Sequence, residues 1–162
     1  MCRNLSTRFR QTGKGDCIMI KKILYPTDFS DVARKAIAYI GSLKSAGAAE
    51  VVIVHVIDRR NFDMLAGHMS LDFGEIRKAF EDAAAREMKE VAGELRAQGY
   101  EVKSRIETGI PFREILRLAE EENASVIVMG SHGKSNLADM LIGSVAEKVI
   151  RHSQRPVLVV KR

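Results

Sequence analysis

Tryptophan is absent from this 162-residue chain, and aromatic residues make up only 6% of it. Nucleic-acid surfaces combine clustered basic residues with base-reading or stacking groups, and no such combination occurs here. The formal charge is +5. Arg3, Arg8, Arg10 and Lys14 against Asp16 account for +3 of it, so the body carries only +2 and is not expected to bind nucleic acid. Cysteine occurs only as Cys2 and Cys17. That excludes a disulfide-stapled fold and a cysteine metal site in the body, and it fits a reducing cytoplasm. No apolar run approaches the roughly 18 residues of a membrane span. His55, His68 and His152 show no zinc-ligand spacing. No repeat or low-complexity segment is present.

What is there is regular. Residues 1–18 are polar, basic and aperiodic, and read as a flexible tail or a spurious extension preceding a start at Met19, with a basic targeting segment as the remaining option. Residues 19–162 read as one domain, long enough to bury a core unaided. Strands are expected over 20–25, 50–57, 101–107, 125–129 and 156–160. Helices are expected over 30–46, 71–98, 111–122 and 143–152, the second with a kink or break near Gly74 or Gly93. Glu50–Ile57 is too apolar to have a wet face, as in a buried parallel strand. Glu101–Glu107 is more polar and suits an edge. Residues 58–70, with Met64 and Met69, form a long loop that would suit a lid. The alternation predicts an α/β fold: an open, doubly wound, Rossmann-like parallel sheet of order 3-2-1-4-5 with helices on both faces.

One run carries chemistry. The apolar segment ending at Met129 is followed by Gly130-Ser131-His132-Gly133, nine residues, then Gly143-Ser144 and a helical pattern. Strand, glycine loop and helix start together suit a phosphate, because bare backbone N–H groups and the helix dipole converge on an anion. The run is not a P-loop, since Gly133-Lys134-Ser135 would need its first glycine at Val128. Nor is it the dinucleotide fingerprint, because the first strand ends in Tyr25-Pro26-Thr27-Asp28 without glycine. In a 3-2-1-4-5 sheet the strand order reverses between strands one and four, so Asp28 and Gly130 should flank the ligand site.

Plainer readings stand beside these. Ser144-Val145-Ala146-Glu147 is a capping box, which would explain Ser144 by itself. Asp28 suits a turn whose side chain bonds nearby N–H groups. Gly130 and Gly133 suit ordinary turns. Lys134 is either a phosphate neighbour or solvated. His55 suits a hydrogen-bonded core position, and the ring of His132 is expected to face water.

The spacing Gly130, Gly133, Gly143-Ser144, with Lys22–Ser30, Val54–Asp58 and Pro156–Val160, resembles the ATP-binding branch of the universal stress protein family over residues 20–162. The resemblance implies a stress-response regulator or sensor that switches on ATP, ADP or AMP. It implies a nucleotide site of Pro26, Thr27, Asp28, Val56, Met129, Gly130, His132, Gly133, Gly143, Ser144 and Val145. Gly130, Gly133, Gly143 and Ser144 would hold ribose and phosphates, Val56 would line the adenine pocket, and Val145 would add an N–H. Asp28 would take the ribose or a phosphate-bound Mg²⁺ or Mn²⁺. The family is typically a homodimer, paired through the strand at 156–160. A slow ATPase using Asp28 and Mg²⁺ is the alternative, and an interaction module with an empty site a third. No catalytic residue is expected.

Overall fold

The computed structural model describes residues 19–60, 73–134 and 142–161 of the chain. The tail over 1–18, most of the expected lid loop over 58–70 and most of the spacer between Gly133 and Gly143 lie outside the described residues. The strands are β1 (Lys22–Pro26), β2 (Glu50–Asp58), β3 (Glu101–Gly109), β4 (Val126–Gly130) and β5 (Val157–Val160). The helices are α1 (Asp31–Leu43), α2 (Phe73–Ala97), α3 (Pro111–Glu121) and α4 (Ser144–His152), with a 3₁₀ turn at Lys44–Ala46. All strand pairs are parallel and the order is β3-β2-β1-β4-β5. The expected doubly wound sheet is therefore the observed one.

Alternation along the central strands feeds two cores. Ile23, Tyr25, Val51, Ile53, Val126 and Val128 pack beneath α1 and α2 with Ile37, Ile40, Val91 and Leu95. Leu24, Val52, Val54, Ile127 and Met129 pack on the opposite face with Ile115, Leu118 and Val149 of α3 and α4. Each such side chain contributes about 1.5–3 kcal/mol by leaving water. Both faces of β1, β2 and β4 are thus dry, which is why these segments read as unbroken apolar runs.

The helix ends follow local chemistry. Ser30 caps α1 through its side chain, which accepts from Ala33 N–H, and the turn after α1 closes at Gly47 with φ 98°. The start of α3 places Pro111 where no N–H is needed. Among the described residues the second helix runs unbroken from Phe73 to Ala97, without the break expected near Gly93. Gly74 lies in the first turn of α2 and Gly93 passes without a break, with open space where its Cβ would stand. The helix ends before Gly99 at φ 84°. A lone exposed glycine weakens a helix by about 1 kcal/mol, and packing of Met88, Val91 and Leu95 into the core outweighs that.

The edge strand β3 is polar, as expected. Arg105 bonds Glu107, Glu121 and Glu122, while Arg117 bonds Glu107, Glu114 and Glu121. Charged side chains of this kind discourage an edge from pairing with a foreign strand.

Candidate nucleotide site

Backbone pairing between β1 and β4 is confined to Ile23–Val126 and Leu24–Ile127, whereas β1 stays paired to β2 as far as Pro26–Val54. Beyond that point lies a crevice of about 620 Å³ at the carboxyl ends of the strands, where an open α/β sheet is expected to take its ligand. Every residue picked out from the sequence lines it: Pro26, Thr27, Asp28, Val56, Met129, Gly130, His132, Gly133, Gly143, Ser144 and Val145, together with Lys134.

One wall is the turn that joins β1 to α1. Thr27 Oγ1 accepts from Phe29 N–H at 3.0 Å, and Asp28 Oδ1 accepts from Ser30 N–H at 3.1 Å. Phe29 sits at φ 63°, a left-handed conformation that is an outlier for a bulky residue. The second carboxylate oxygen reaches across the crevice, where Asp28 Oδ2 accepts from Lys134 N–H at 2.7 Å. Asp28 is therefore the turn residue of the plainer reading and also the tie to the glycine loop.

The glycines serve different ends. A Cβ on Gly133 would lie 2.6 Å from Asp28 Oδ2, so its absence admits the carboxylate. A Cβ on Gly130 would stand 3.0–3.2 Å from backbone atoms of Val32 and Ala33. Gly130 thus lets the end of β4 approach the first turn of α1. Gly143 N–H donates to Ser131 O at 2.8 Å, and Ser131 N–H donates to Val160 O at 2.8 Å. The two ends of the loop are fastened together, and Ser131, fully buried, is fastened to β5. His132 lines the crevice, its Nδ1 2.9 Å from Ser131 Oγ.

The capping box expected at Ser144 does not form. The cap position is Gly143, with no side-chain cap bond. Glu147 instead pairs with Arg151 at 2.8 Å. Ser144 is the first residue of α4, and the first intrahelical amide bond runs from Glu147 N–H to Gly143 O. The N–H groups of Ser144, Val145 and Ala146 are left for whatever enters the crevice, at the positive end of the helix dipole. Val56, Pro111, Ile115 and Met129 bring apolar side chains to the same crevice. The crevice therefore combines apolar side chains suited to a planar base with free donors suited to phosphates.

His55 also lines the crevice, a role that its place on an apolar strand concealed. Its Nδ1 lies 2.9 Å from Thr27 O. A carbonyl can only accept, so Nδ1 carries the hydrogen. Burial pushes its pKa below 6.5 and Lys134 adds to the effect, while the Thr27 carbonyl and Asp28 oppose it. Pro111 and Ile115 were likewise concealed, since only the fold brings α3 to this end of the sheet.

A metal held by the protein alone does not fit. Both Asp28 oxygens already accept backbone N–H groups. Among the described residues no three His, Cys, Asp or Glu side chains cluster as ligands. No helix among them is long and apolar enough to cross a membrane.

Comparison with known proteins agrees with this fold. The model of the Universal stress protein family matches residues 19–161. Universal stress protein MJ0577 of Methanocaldococcus jannaschii is 43% identical over 157 residues, covering 90% of this chain and 97% of its own. The solved structure of MJ0577 superposes with a TM-score of 0.81 at 44% identity, covering 89% of this chain and 97% of that one. A universal stress protein from Archaeoglobus fulgidus, solved in complex with dAMP, shares the fold with a TM-score of 0.59 at 21% identity, covering 89% of this chain and 99% of that one.

Proposed function

The chain belongs to the universal stress protein family, and from that premise we propose that it is an adenine-nucleotide-binding regulatory protein whose occupied and empty states present different surfaces to partners. A single observation carries the reading. Val56 and Ile115 line the same crevice as the unpaired N–H groups at the start of α4. A base and a phosphate chain need those two environments within reach of each other.

ATP is the proposed ligand, with ADP and AMP sharing the base and ribose contacts. Asp28, Gly130, His132, Gly133, Gly143 and Ser144 take the ribose and phosphates, and Pro26, Thr27, Val56 and Met129 enclose the base. Val145 adds its N–H to the phosphate side. Mg²⁺ enters with the phosphates rather than ahead of them, and Asp28 would then exchange the Lys134 N–H for the metal. A ligand shifts a protein between states only by its differential affinity for them. The Asp28–Lys134 bond, lying in the site, is a contact that the ligand can replace.

The reading also has the protein acting as a cytoplasmic homodimer joined through β5. Leu158 is 37% and Ile150 43% exposed on the β5–α4 side, and an apolar edge strand is a liability unless something covers it. The placement in the cytoplasm is supported by the confinement of both cysteines to the first 17 residues.

The test is mass spectrometry of the small molecule released when purified protein is denatured, followed by calorimetric titration of emptied protein with ATP and with GTP. Release of an uncleaved adenine nucleotide and saturable binding of ATP are expected. Emptied protein that binds neither nucleotide would overturn the proposal.

A further inference from the structure

We propose that His55 is a positioning residue for this site: by bonding the Thr27 carbonyl and stacking on Phe29, it holds the β1–α1 turn so that Asp28 meets the glycine loop.

The relay can be followed atom by atom. His55 Nδ1–H donates to Thr27 O at 2.9 Å. The same ring stacks on Phe29, centroids 4.6 Å apart and planes inclined by 26°. Thr27 and Phe29 are the residues on either side of Asp28, so the imidazole grips the backbone before it and the side chain after it. What it holds is a conformation the turn would not choose alone. Phe29 at φ 63° is costly for a residue with a bulky side chain. Thr27 Oγ1 secures the Phe29 N–H from within the turn, and His55 secures the turn from the neighbouring strand.

Asp28 is the output. Oδ1 is fixed by Ser30 N–H, and Oδ2 takes the N–H of Lys134 at 2.7 Å. Lys134 meets the turn a second time, with Nζ 6.0 Å from the Phe29 ring centroid. Histidine suits this task in a way an aliphatic residue does not. Strand β2 is otherwise apolar here, and only a side chain with a donor at the Nδ1 position and a flat face can both bond the carbonyl and stack on the ring. The consequence for affinity rests on the nucleotide reading above, but the effect on the loop does not.

The experiment compares full-length wild type with His55→Leu and His55→Asn. Leucine removes the donor. Asparagine keeps one where Nδ1 stands. Amide hydrogen exchange of Lys134 in ligand-free protein is read by NMR, with the core amide of Ile127 as the reference, and ATP affinity is measured alongside. In His55→Leu the Lys134 amide is expected to exchange roughly tenfold faster with Ile127 unchanged, and ATP affinity to fall roughly three- to tenfold, the usual worth of one hydrogen bond. His55→Asn should recover most of both. An unchanged Lys134 rate in His55→Leu, equal acceleration at Ile127, or failure of asparagine to rescue each overturns the inference. If emptied wild type binds no ATP, the nucleotide reading falls, and the exchange comparison still decides the role of His55.

Discussion

Two glycines three residues apart should fail in opposite ways when given a methyl group. At Gly133 the new Cβ would lie 2.6 Å from Asp28 Oδ2, with the next atom, Asp28 Cγ, at 3.6 Å. Only the tip of one movable side chain stands in the way, and the backbone there is not left-handed. Asp28 would swing aside and release Lys134 N–H. A hydrogen bond to a charged acceptor is worth about 1.5–3 kcal/mol, and exposure of this one to water reduces that to about 1 kcal/mol. Alanine recovers about 0.4–1 kcal/mol by restricting the unfolded chain. Gly133→Ala should therefore leave stability within about 0.5 kcal/mol of wild type. Nucleotide affinity should nevertheless drop about tenfold, because a displaced carboxylate no longer faces the ribose and phosphates. At Gly130 the Cβ would stand 3.0, 3.1 and 3.2 Å from Ala33 N, Val32 C and Ala33 Cα. Backbone cannot swing aside, so α1 must shift, at a cost of about 1–3 kcal/mol. At about 2–4 °C per kcal/mol for a domain of this size, Gly130→Ala should melt several degrees lower. Differential scanning fluorimetry and calorimetric titration with ATP measure both quantities on both variants. A Gly133→Ala protein that binds ATP like wild type, or a Gly130→Ala protein of wild-type stability, would refute the assignment of roles.

Three other outcomes are expected. Tyr25 is fully buried with its hydroxyl donating to Ala33 O at 2.6 Å, and burial holds its pKa up at about 12; Tyr25→Phe should cost about 1–2 kcal/mol in denaturant unfolding. The His55 pKa lies below its unfolded value of 6.5, lowered by burial and by Lys134 against the pull of Thr27 O and Asp28. The unfolded chain thus takes up the proton first, so this contribution is complete above pH 6.5 and is lost as pH falls from there through the folded pKa; the urea midpoint of wild type should drop more over that window than that of His55→Asn. Leu158→Lys should shift the sedimentation coefficient from dimer to monomer while leaving the melting temperature within a degree or two, and a variant that sediments like wild type would count against pairing through β5.

The fold was largely legible because both faces of β1, β2 and β4 are covered, which forces apolar runs, and because Gly47, Gly99 and Pro111 punctuate the helices for conformational reasons. Gly93 misled because a glycine's cost to a helix is smaller than the burial on the opposite side of α2. Ser144 misled because a capping box is a local pattern, whereas Gly143 is drawn into the cap position by its N–H bond to Ser131 O, a contact across the loop. That Asp28 and the glycine run meet at one end of the sheet was legible from the spacing and the strand order, but the separate contacts of each residue were not. That Gly130 admits α1 while Gly133 admits a carboxylate depends on what stands opposite each. His55 looked like a core residue because its partners, Thr27 and Phe29, are 28 and 26 positions away and meet it only once β1 lies beside β2. Pro111 and Ile115 reached the crevice by the same route.

The most direct measurement is an ATP titration of ¹⁵N-labelled protein followed by amide NMR. If the crevice holds the nucleotide, the amides of Asp28, Val56, Gly133, Gly143, Ser144 and Val145 should shift saturably, while those of Glu101 and Ser125 at the opposite end of the sheet stay in place. Saturable shifts at that opposite end, or none in the crevice at millimolar ATP, would contradict it.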